Sequence, residues 1–152
     1  MIIKAVDIST QHIYLNLAQA YEAEFSAITE KRPNEDGVFE LDTPLDASHV
    51  AYIVYQGDSP AGLANIAIKE DQHFEVCEFY ILPVYRKQGL GTGFIAEVFK
   101  QHSGHWEIKQ IEGAEYATEF WRKVLKSQNI AFEENAYLDA FWGYVTRQAF
   151  VV

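Results

Sequence analysis

A run of glycine, basic and small polar residues near the middle of the chain has the composition of a phosphate-binding turn. It extends from Tyr85 to Gly93 and reads YRKQGLGTG, with Gly89 and Gly91 one residue apart. Glycine lets the backbone turn tightly and approach a ligand without a Cβ in the way. A helix that starts here adds unpaired N–H groups and the positive end of its dipole. The run therefore predicts an anion site, and a phosphate is its usual occupant.

Two common phosphate-binding loops fit this run poorly. A Walker loop ends in Gly-Lys-Ser/Thr, whereas Gly91 is followed by Thr92 and no lysine intervenes. A dinucleotide-binding fingerprint has a third glycine where Phe94 stands. Residues 86–91 instead match the pattern R-x-x-G-x-G. A glycine turn that merely joins a strand to a helix is the alternative interpretation.

A second candidate for chemistry is Glu78, inside the strand-like run that precedes the glycine turn. Strand alternation predicts that Phe74, Val76, Glu78 and Tyr80 share one face. A carboxylate in such apolar surroundings is desolvated, which raises its pKa and makes it a candidate functional group. The alternative is a structural carboxylate paired with a cation, and a β-bulge would reverse the facing.

Hydrophobic periodicity predicts the elements that position these residues. The expected order is strand, helix, three-stranded antiparallel meander, helix, strand, helix and hairpin. The meander comprises Val50–Tyr55, Ala61–Ile68 and Phe74–Leu82. A helix precedes Trp106–Ile111, so this strand can lie parallel to the last strand of the meander.

The first helix and the segment after it carry much of the acidic charge of the chain. The predicted apolar stripe of the helix includes Leu17, Tyr21 and Phe25, and its predicted polar face carries Glu22 and Glu24. From residue 31 to 48 the periodicity fades, and prolines and glycine predict a loop with a short edge strand at residues 38–41.

Composition limits the classes of protein that fit. The 152 residues, of which 49% are apolar, predict a single domain over residues 1–152 with a hydrophobic core. No apolar run has transmembrane length, the first residues lack a signal-peptide layout, and Cys77 is the single cysteine, so a cytoplasmic protein without membrane contact is expected. No Cys/His spacing suggests a metal site. A net charge of −10 disfavours nucleic acid as a partner.

Residues 86–91, the preceding Phe79–Pro83 and the order of the elements resemble the GNAT N-acetyltransferase superfamily. Residues 117–123, AxxFWRK, resemble a small bacterial branch of it. The resemblance implies an α/β (α+β) fold, in which about four helices flank a central, mixed, mostly antiparallel twisted sheet. It also implies acetyl-CoA as the co-substrate and no metal.

The resemblance further implies where acetyl-CoA binds. The backbone N–H groups of residues 88–92 would hold the pyrophosphate, and the strand end at residues 79–82 would pair with the pantetheine arm. A strand 106–111 splayed away from that strand end would leave a slot for the arm, and an N–H near Ile81 would polarise the thioester carbonyl. The implied cofactor-binding residues are Ile81, Leu82, Arg86, Lys87, Gln88, Gly89, Leu90, Gly91 and Thr92.

Two catalytic roles follow from the chemistry that the resemblance implies. The acceptor amine must lose a proton, and Glu78 is the candidate base because related enzymes often place theirs on this strand. The departing thiolate must gain a proton, but Trp121 stands where many relatives have a tyrosine, and Ala114 stands where an asparagine often occurs. Tyr116 could substitute, although the helical stripe favours a core position for it.

Two functions are compatible with these residues. The first is an acetyl-CoA-dependent N-acetyltransferase that acts on a primary amine of a small molecule, with a protein amine as a variant of it. The second is a non-catalytic acyl-CoA-binding sensor or interaction module.

The acidic first helix and loop suggest a cationic acceptor, drawn to an acidic rim. A solvated acidic exterior without a substrate role is the alternative. The aromatic tail could form a homodimer interface.

Overall fold

The computed structural model describes residues 1–152, which form one seven-stranded sheet with helices on both faces. The sheet order is β1-β2-β3-β4-β5-β7-β6, and β4–β5 is the one parallel pair. The strands are β1 (Ile2–Ala5), β2 (His49–Gln56), β3 (Ser59–Lys69), β4 (His73–Ile81), β5 (His105–Ile111), β6 (Phe132–Asp139) and β7 (Gly143–Val151). The helices are α1 (Gln11–Thr29), α2 (Leu90–Gln101) and α3 (Glu115–Ser127). The mixed, mostly antiparallel sheet confirms the predicted fold class.

The expected number of helices, about four, is wrong, because the chain forms three α-helices and two short 3₁₀ turns. The predicted edge strand at residues 38–41 is also absent. The side chain of Gln19 satisfies both backbone groups of Phe39: its Oε1 accepts from the Phe39 N–H and its Nε2 donates to the Phe39 carbonyl, each at 2.8 Å. The segment is therefore tied to α1 through a side-chain amide and needs no strand partner.

Each face of the sheet has its own core. Phe94, Val98 and Trp121, from α2 and α3, pack on one face together with Trp106 and Ile108 of β5. Tyr14, Leu17 and Ala18 of α1 pack on the other face against β2, β3 and the end of β4. The two helical layers therefore meet the two faces of β4, and this strand carries residues for both.

A β-bulge at Cys77 changes the facing of β4. Asn65 pairs with Glu78 and the next residue, Ile66, pairs with Val76, so that Cys77 has no partner on β3. The prediction that Phe74, Val76, Glu78 and Tyr80 share one face is therefore wrong. Phe74 and Val76 lie in the core under α2, whereas Tyr80 lies in the core under α1 and Glu78 contacts Tyr14 of α1. A bulge inserts one residue and so inverts the alternation beyond it.

The parallel pair of strands separates halfway along its length. β4 pairs with β5 only from His73–His105 to Val76–Ile108. Beyond that point β5 continues beside β7 as far as Ile111–Val145, whereas residues 78–81 of β4 keep only the β3 neighbour. A wedge-shaped opening therefore lies between the two strands, directly before the glycine turn.

Candidate active site

The glycine turn presents a row of free backbone donors. α2 begins at Leu90, and its N-cap residue Gly89 has a φ of 80°, in the left-handed region that glycine adopts without strain. The first α2 hydrogen bond runs from the Gly93 N–H to the Gly89 carbonyl at 3.0 Å. The N–H groups of residues 87–92 have no acceptor within the chain. Six consecutive donors at a helix N-terminus form a site for an anionic group.

The side chains of this turn do not accept hydrogen bonds from those N–H groups. Lys87 and Gln88 are exposed, and Gln88 donates to the Val84 carbonyl at 3.2 Å. Gly91 faces inward, where a Cβ would lie 3.4 Å from Ile81 and 3.4 Å from the Phe120 ring. The small residue at this position lets α2 pack against the strand end and α3.

The end of β4 directs its free backbone groups into the opening beside β5. The Leu82 N–H donates to the Ala61 carbonyl at 2.9 Å. Because bonded groups alternate along an antiparallel ladder, the N–H groups of Phe79 and Ile81 point away from β3. The predicted slot is thus present beside residues 79–82, with Ile81 buried and Leu82 half-buried.

The Arg86 side chain is held by α1 and by the strand end. Its two terminal nitrogens bind the carboxylate oxygens of Glu24, each at 2.8 Å, and its Nε donates to the Ile81 carbonyl at 2.7 Å. The Tyr80 hydroxyl donates to the same Glu24 carboxylate at 2.9 Å. This arrangement, the Arg86–Glu24 clamp, joins α1 to β4 and to the glycine turn. Bidentate arginine–carboxylate pairs fix geometry as well as charge.

Glu78 is a buried carboxylate with one unsatisfied oxygen. It is 3% exposed; the Tyr14 hydroxyl donates to its Oε2 at 3.0 Å, and its Oε1 has no partner. Asn65 donates to the Tyr14 hydroxyl at 3.0 Å. Burial raises the pKa of Glu78 to about 7, against the opposing effect of the Tyr14 and Thr43 hydroxyls. A carboxylate with this pKa exchanges a proton near neutral pH.

The structure brings together residues that the sequence interpretation did not connect. Tyr14, Asn65 and Thr43 surround Glu78, and none of them was among the predicted site residues. Asn65 carries a visible signal, because it is an amide in the middle of the apolar strand Ala61–Ile68. A polar group at such a position needs a buried partner.

The aromatic residues of α3 divide into buried and exposed ones. Trp121 is 5% exposed and its ring lies 5.1 Å from Phe79, so it packs beside the opening, and Ala114 is also buried. The expected core position of Tyr116 is wrong, because this side chain is 65% exposed. Partial burial and the charge of Glu24 raise the pKa of Tyr116, and the charge of Arg86 opposes this. The phenol is therefore within electrostatic reach of the Arg86–Glu24 clamp.

A surface cavity of about 1070 Å³ lies elsewhere. It lies at the other end of β4 and β5, and its lining includes His73, His105 and Phe132. The two imidazole rings stack at 4.8 Å, and nearby Lys69 and Arg147 are both paired with Glu107. No group of three potential ligands could hold a metal ion. None of the three helices has the length and apolar character needed to span a bilayer.

Comparison with known proteins places this arrangement in a family. The family model described as acetyltransferase (GNAT) family matches residues 14–126, a range that contains Glu78, the strand end and the glycine turn. No curated protein matches the chain.

Several solved structures share the fold. The aminoglycoside 6'-N-acetyltransferase of Enterococcus faecium superposes with a TM-score of 0.68 at 10% identity, over 100% of this chain and 98% of that one. The spermidine N-acetyltransferase of Vibrio cholerae gives 0.65 at 11% identity, over 99% and 95%. An acetyltransferase of Bacillus subtilis in complex with CoA gives 0.59 at 13% identity, over 99% and 97%.

The pKa of Glu78 makes stability depend on pH. Because its folded-state pKa is raised from 4.5 to about 7, the stabilisation by the protonated form is complete below pH 4.5. It is lost as the pH rises through about 7. Glu78→Gln keeps the shape of the side chain and removes its charge. The free energy of unfolding of this variant, relative to that of the parent, should therefore be higher at pH 8.5 than at pH 5.5 by on the order of 2 kcal/mol. Urea unfolding at both pH values measures this gain.

The exposed Glu97→Gln serves as the control and should show no such gain, since Glu97 is 46% exposed. An equal advantage of Glu78→Gln at pH 5.5 and 8.5 would contradict the raised pKa.

Proposed function

This chain belongs to the acetyltransferase (GNAT) family, and we propose that it transfers the acetyl group of acetyl-CoA to a primary amine of a small molecule. The observation that carries the proposal is the row of six free N–H groups at residues 87–92, directly after a strand end that has lost one neighbour. The first feature suits a pyrophosphate and the second suits an extended, amide-containing arm. We assign both to one domain over residues 1–152.

The backbone of residues 87–92 would bind the pyrophosphate. The exposed ammonium group of Lys87 and the hydroxyl of Thr92 belong to the same turn and would provide further contacts to it. The free N–H groups of Phe79 and Ile81 would pair with the pantetheine arm and polarise the thioester carbonyl. The packed rings of Phe79, Phe120 and Trp121 would close the apolar side of the slot.

The role of Arg86 differs from that of Lys87, the other basic residue of the turn. Its three nitrogens already contact Glu24 and the Ile81 carbonyl, so a phosphate would have to compete with a bidentate ion pair. We propose that Arg86 positions the Ile81 peptide and leaves phosphate binding to the backbone and Lys87.

Glu78 is our candidate for the base. Its pKa of about 7 allows it to take a proton from an ammonium group, directly or through water. The neutral amine then attacks the acetyl carbonyl carbon. As the C–S bond breaks, the nitrogen loses its second proton to solvent, which leaves the amide and the CoA thiolate. The thiolate takes a proton from solvent or from Tyr116, which regains its own proton from solvent.

The residues at two positions favour a second candidate function, that of a non-catalytic acyl-CoA-binding sensor. Trp121 and Ala114 are both buried and offer neither a phenol nor an amide to the slot. A sensor would bind acetyl-CoA without releasing CoA when amines are supplied.

Release of free thiol from acetyl-CoA in the presence of a broad panel of amines tests the proposal. We expect turnover by the parent, with a rate that rises as the pH passes through about 7 because the base must be deprotonated. Glu78→Gln should lower kcat on the order of 10²- to 10⁴-fold and should bind acetyl-CoA as the parent does. Glu97→Gln should behave as the parent.

Binding of acetyl-CoA without thiol release from any amine would favour the sensor. Unchanged kcat and pH dependence in Glu78→Gln would leave Glu78 as a structural carboxylate.

A pair of glycine variants tests the cofactor site. Gly89 and Gly143 have positive φ values of 80° and 76°, and a Cβ at either would meet no atom within 4 Å. Valine at each position should therefore cause a similar loss of stability, on the order of 1–2 kcal/mol. Only Gly89→Val should lose the rise in Tm that acetyl-CoA gives the parent, because it disturbs the row of N–H groups. Equal stabilisation of both variants by acetyl-CoA would place the pyrophosphate elsewhere.

A further inference from the structure

We propose that the acceptor is a dibasic aliphatic amine, and that Glu22 binds the ammonium group that does not react. This inference rests on the proposed function, because it assigns the substrate class of the same site. It depends on two buried carboxylates between α1, β4 and the loop at residues 42–44.

Glu22 was expected on the polar face of α1, and that expectation is wrong. The residue is 1% exposed and follows Tyr14 and Ala18 at intervals of four, so that all three share the buried face of the helix. Its Oε2 lies 3.0 Å from the Lys31 Nζ, and its Oε1 has no partner. Glu78 repeats this pattern: one oxygen accepts from Tyr14, and its Oε1 has no hydrogen-bond partner, although the Thr43 hydroxyl lies close enough to lower the pKa of this carboxylate.

Unsatisfied buried carboxylate oxygens are costly and rare in native proteins. Two of them on one side of the sheet can each accept a hydrogen bond from a donor outside the chain. A carboxylate oxygen only accepts hydrogen bonds, so that donor must carry N–H or O–H groups, and a cationic donor satisfies the charge as well.

The loop lies along both carboxylates. Asp42 binds Lys31 at 2.9 Å, and Lys31 binds Glu22. The next residue, Thr43, is buried, and its hydroxyl lies close enough to Glu78 to lower the pKa of that carboxylate. The Pro44 carbonyl accepts from Asn65 at 3.4 Å. Glu22 and Glu78 therefore lie under one short segment and belong to a single site.

The charges of this site do not balance. Glu22, Asp42 and Glu78 supply carboxylates, and Lys31 is the cation that contacts Glu22 and Asp42. Arg86 is already paired with Glu24. The mutual repulsion contributes to the raised pKa of Glu78, which the charges of Glu22 and Asp42 increase. An added ammonium group reduces this imbalance.

Lys31 shows that the site suits an alkylammonium group. Its Nζ is held by the Glu22 carboxylate at 3.0 Å, the Asp42 carboxylate at 2.9 Å and the Glu40 carbonyl at 2.8 Å. A ligand ammonium group at the free Oε1 of Glu22 would donate a hydrogen bond to this oxygen, as the Lys31 Nζ does to Oε2. The amine that reacts gives its proton to Glu78, and the second amine keeps its charge at Glu22.

A buried carboxylate therefore takes the place of the acidic rim suggested by the sequence. Three acidic residues of the first helix and loop are otherwise engaged: Glu24 pairs with Arg86, Asp42 pairs with Lys31, and Glu22 is buried. Recognition then depends on contact with a buried carboxylate more than on long-range attraction.

The test compares two acceptors of equal chain length, 1,4-diaminobutane and 1-aminobutane, by thiol release from acetyl-CoA. The ratio of their kcat/KM values is independent of the fraction of protein that is folded. A charge-assisted contact should favour the diamine by about tenfold to a hundredfold in the parent. In Glu22→Gln the ratio should fall to about two, the statistical advantage of two amino groups, mainly through KM.

Lys31→Met provides the matched control, because it removes the partner of Glu22 and leaves the carboxylate. The ratio in Lys31→Met should stay at or above that of the parent. A ratio near two in the parent, an unchanged ratio in Glu22→Gln, or equal losses in Glu22→Gln and Lys31→Met would each overturn the inference while the acetyltransferase assignment stands. Absence of turnover with every amine would instead overturn the proposed function and this inference with it.

Discussion

The separation of β4 from β5 after Val76 and Ile108 is the feature on which the rest of the site depends. Half of a central strand loses its neighbour on one side, and buried backbone groups need partners. A bound molecule with an extended amide backbone can supply them. The glycine turn follows the same strand end, so the free donors of the strand and those of the α2 N-terminus act on one ligand.

The bulge at Cys77 lets β4 direct side chains to both faces of the sheet. Before the bulge the strand contributes Phe74 and Val76 to the core under α2; after it, Glu78 and Tyr80 face α1. The strand can therefore present backbone donors to the cofactor side and a titratable carboxylate to the acceptor side. The Arg86–Glu24 clamp fixes the position of the acceptor side relative to the cofactor side, because it joins α1 to the Ile81 carbonyl.

Local patterns in the sequence predicted the glycine turn, because it depends on backbone conformation, and the meander and parallel strand, because they depend on hydrophobic period. The family was recognised from the turn motif and the order of these elements. The facing of Glu78 could not be predicted, since a bulge depends on the pairing of β3 with β4 and leaves no local signature. The burial of Glu22 was missed for a related reason: a glutamate is assigned to the polar face unless its partner is known, and Lys31 and Asp42 come from a loop. The engagement of Arg86 by Glu24, 62 residues away in sequence, is equally a product of tertiary structure.

Amide hydrogen exchange with and without acetyl-CoA tests the central claim most directly, because the account assigns cofactor binding to particular N–H groups. It predicts that acetyl-CoA slows exchange at residues 87–92 and at Phe79 and Ile81, and that it leaves the rim of the distant cavity, such as His105 and Phe132, unchanged. Protection at that cavity, with unaltered exchange at residues 87–92, would contradict the account.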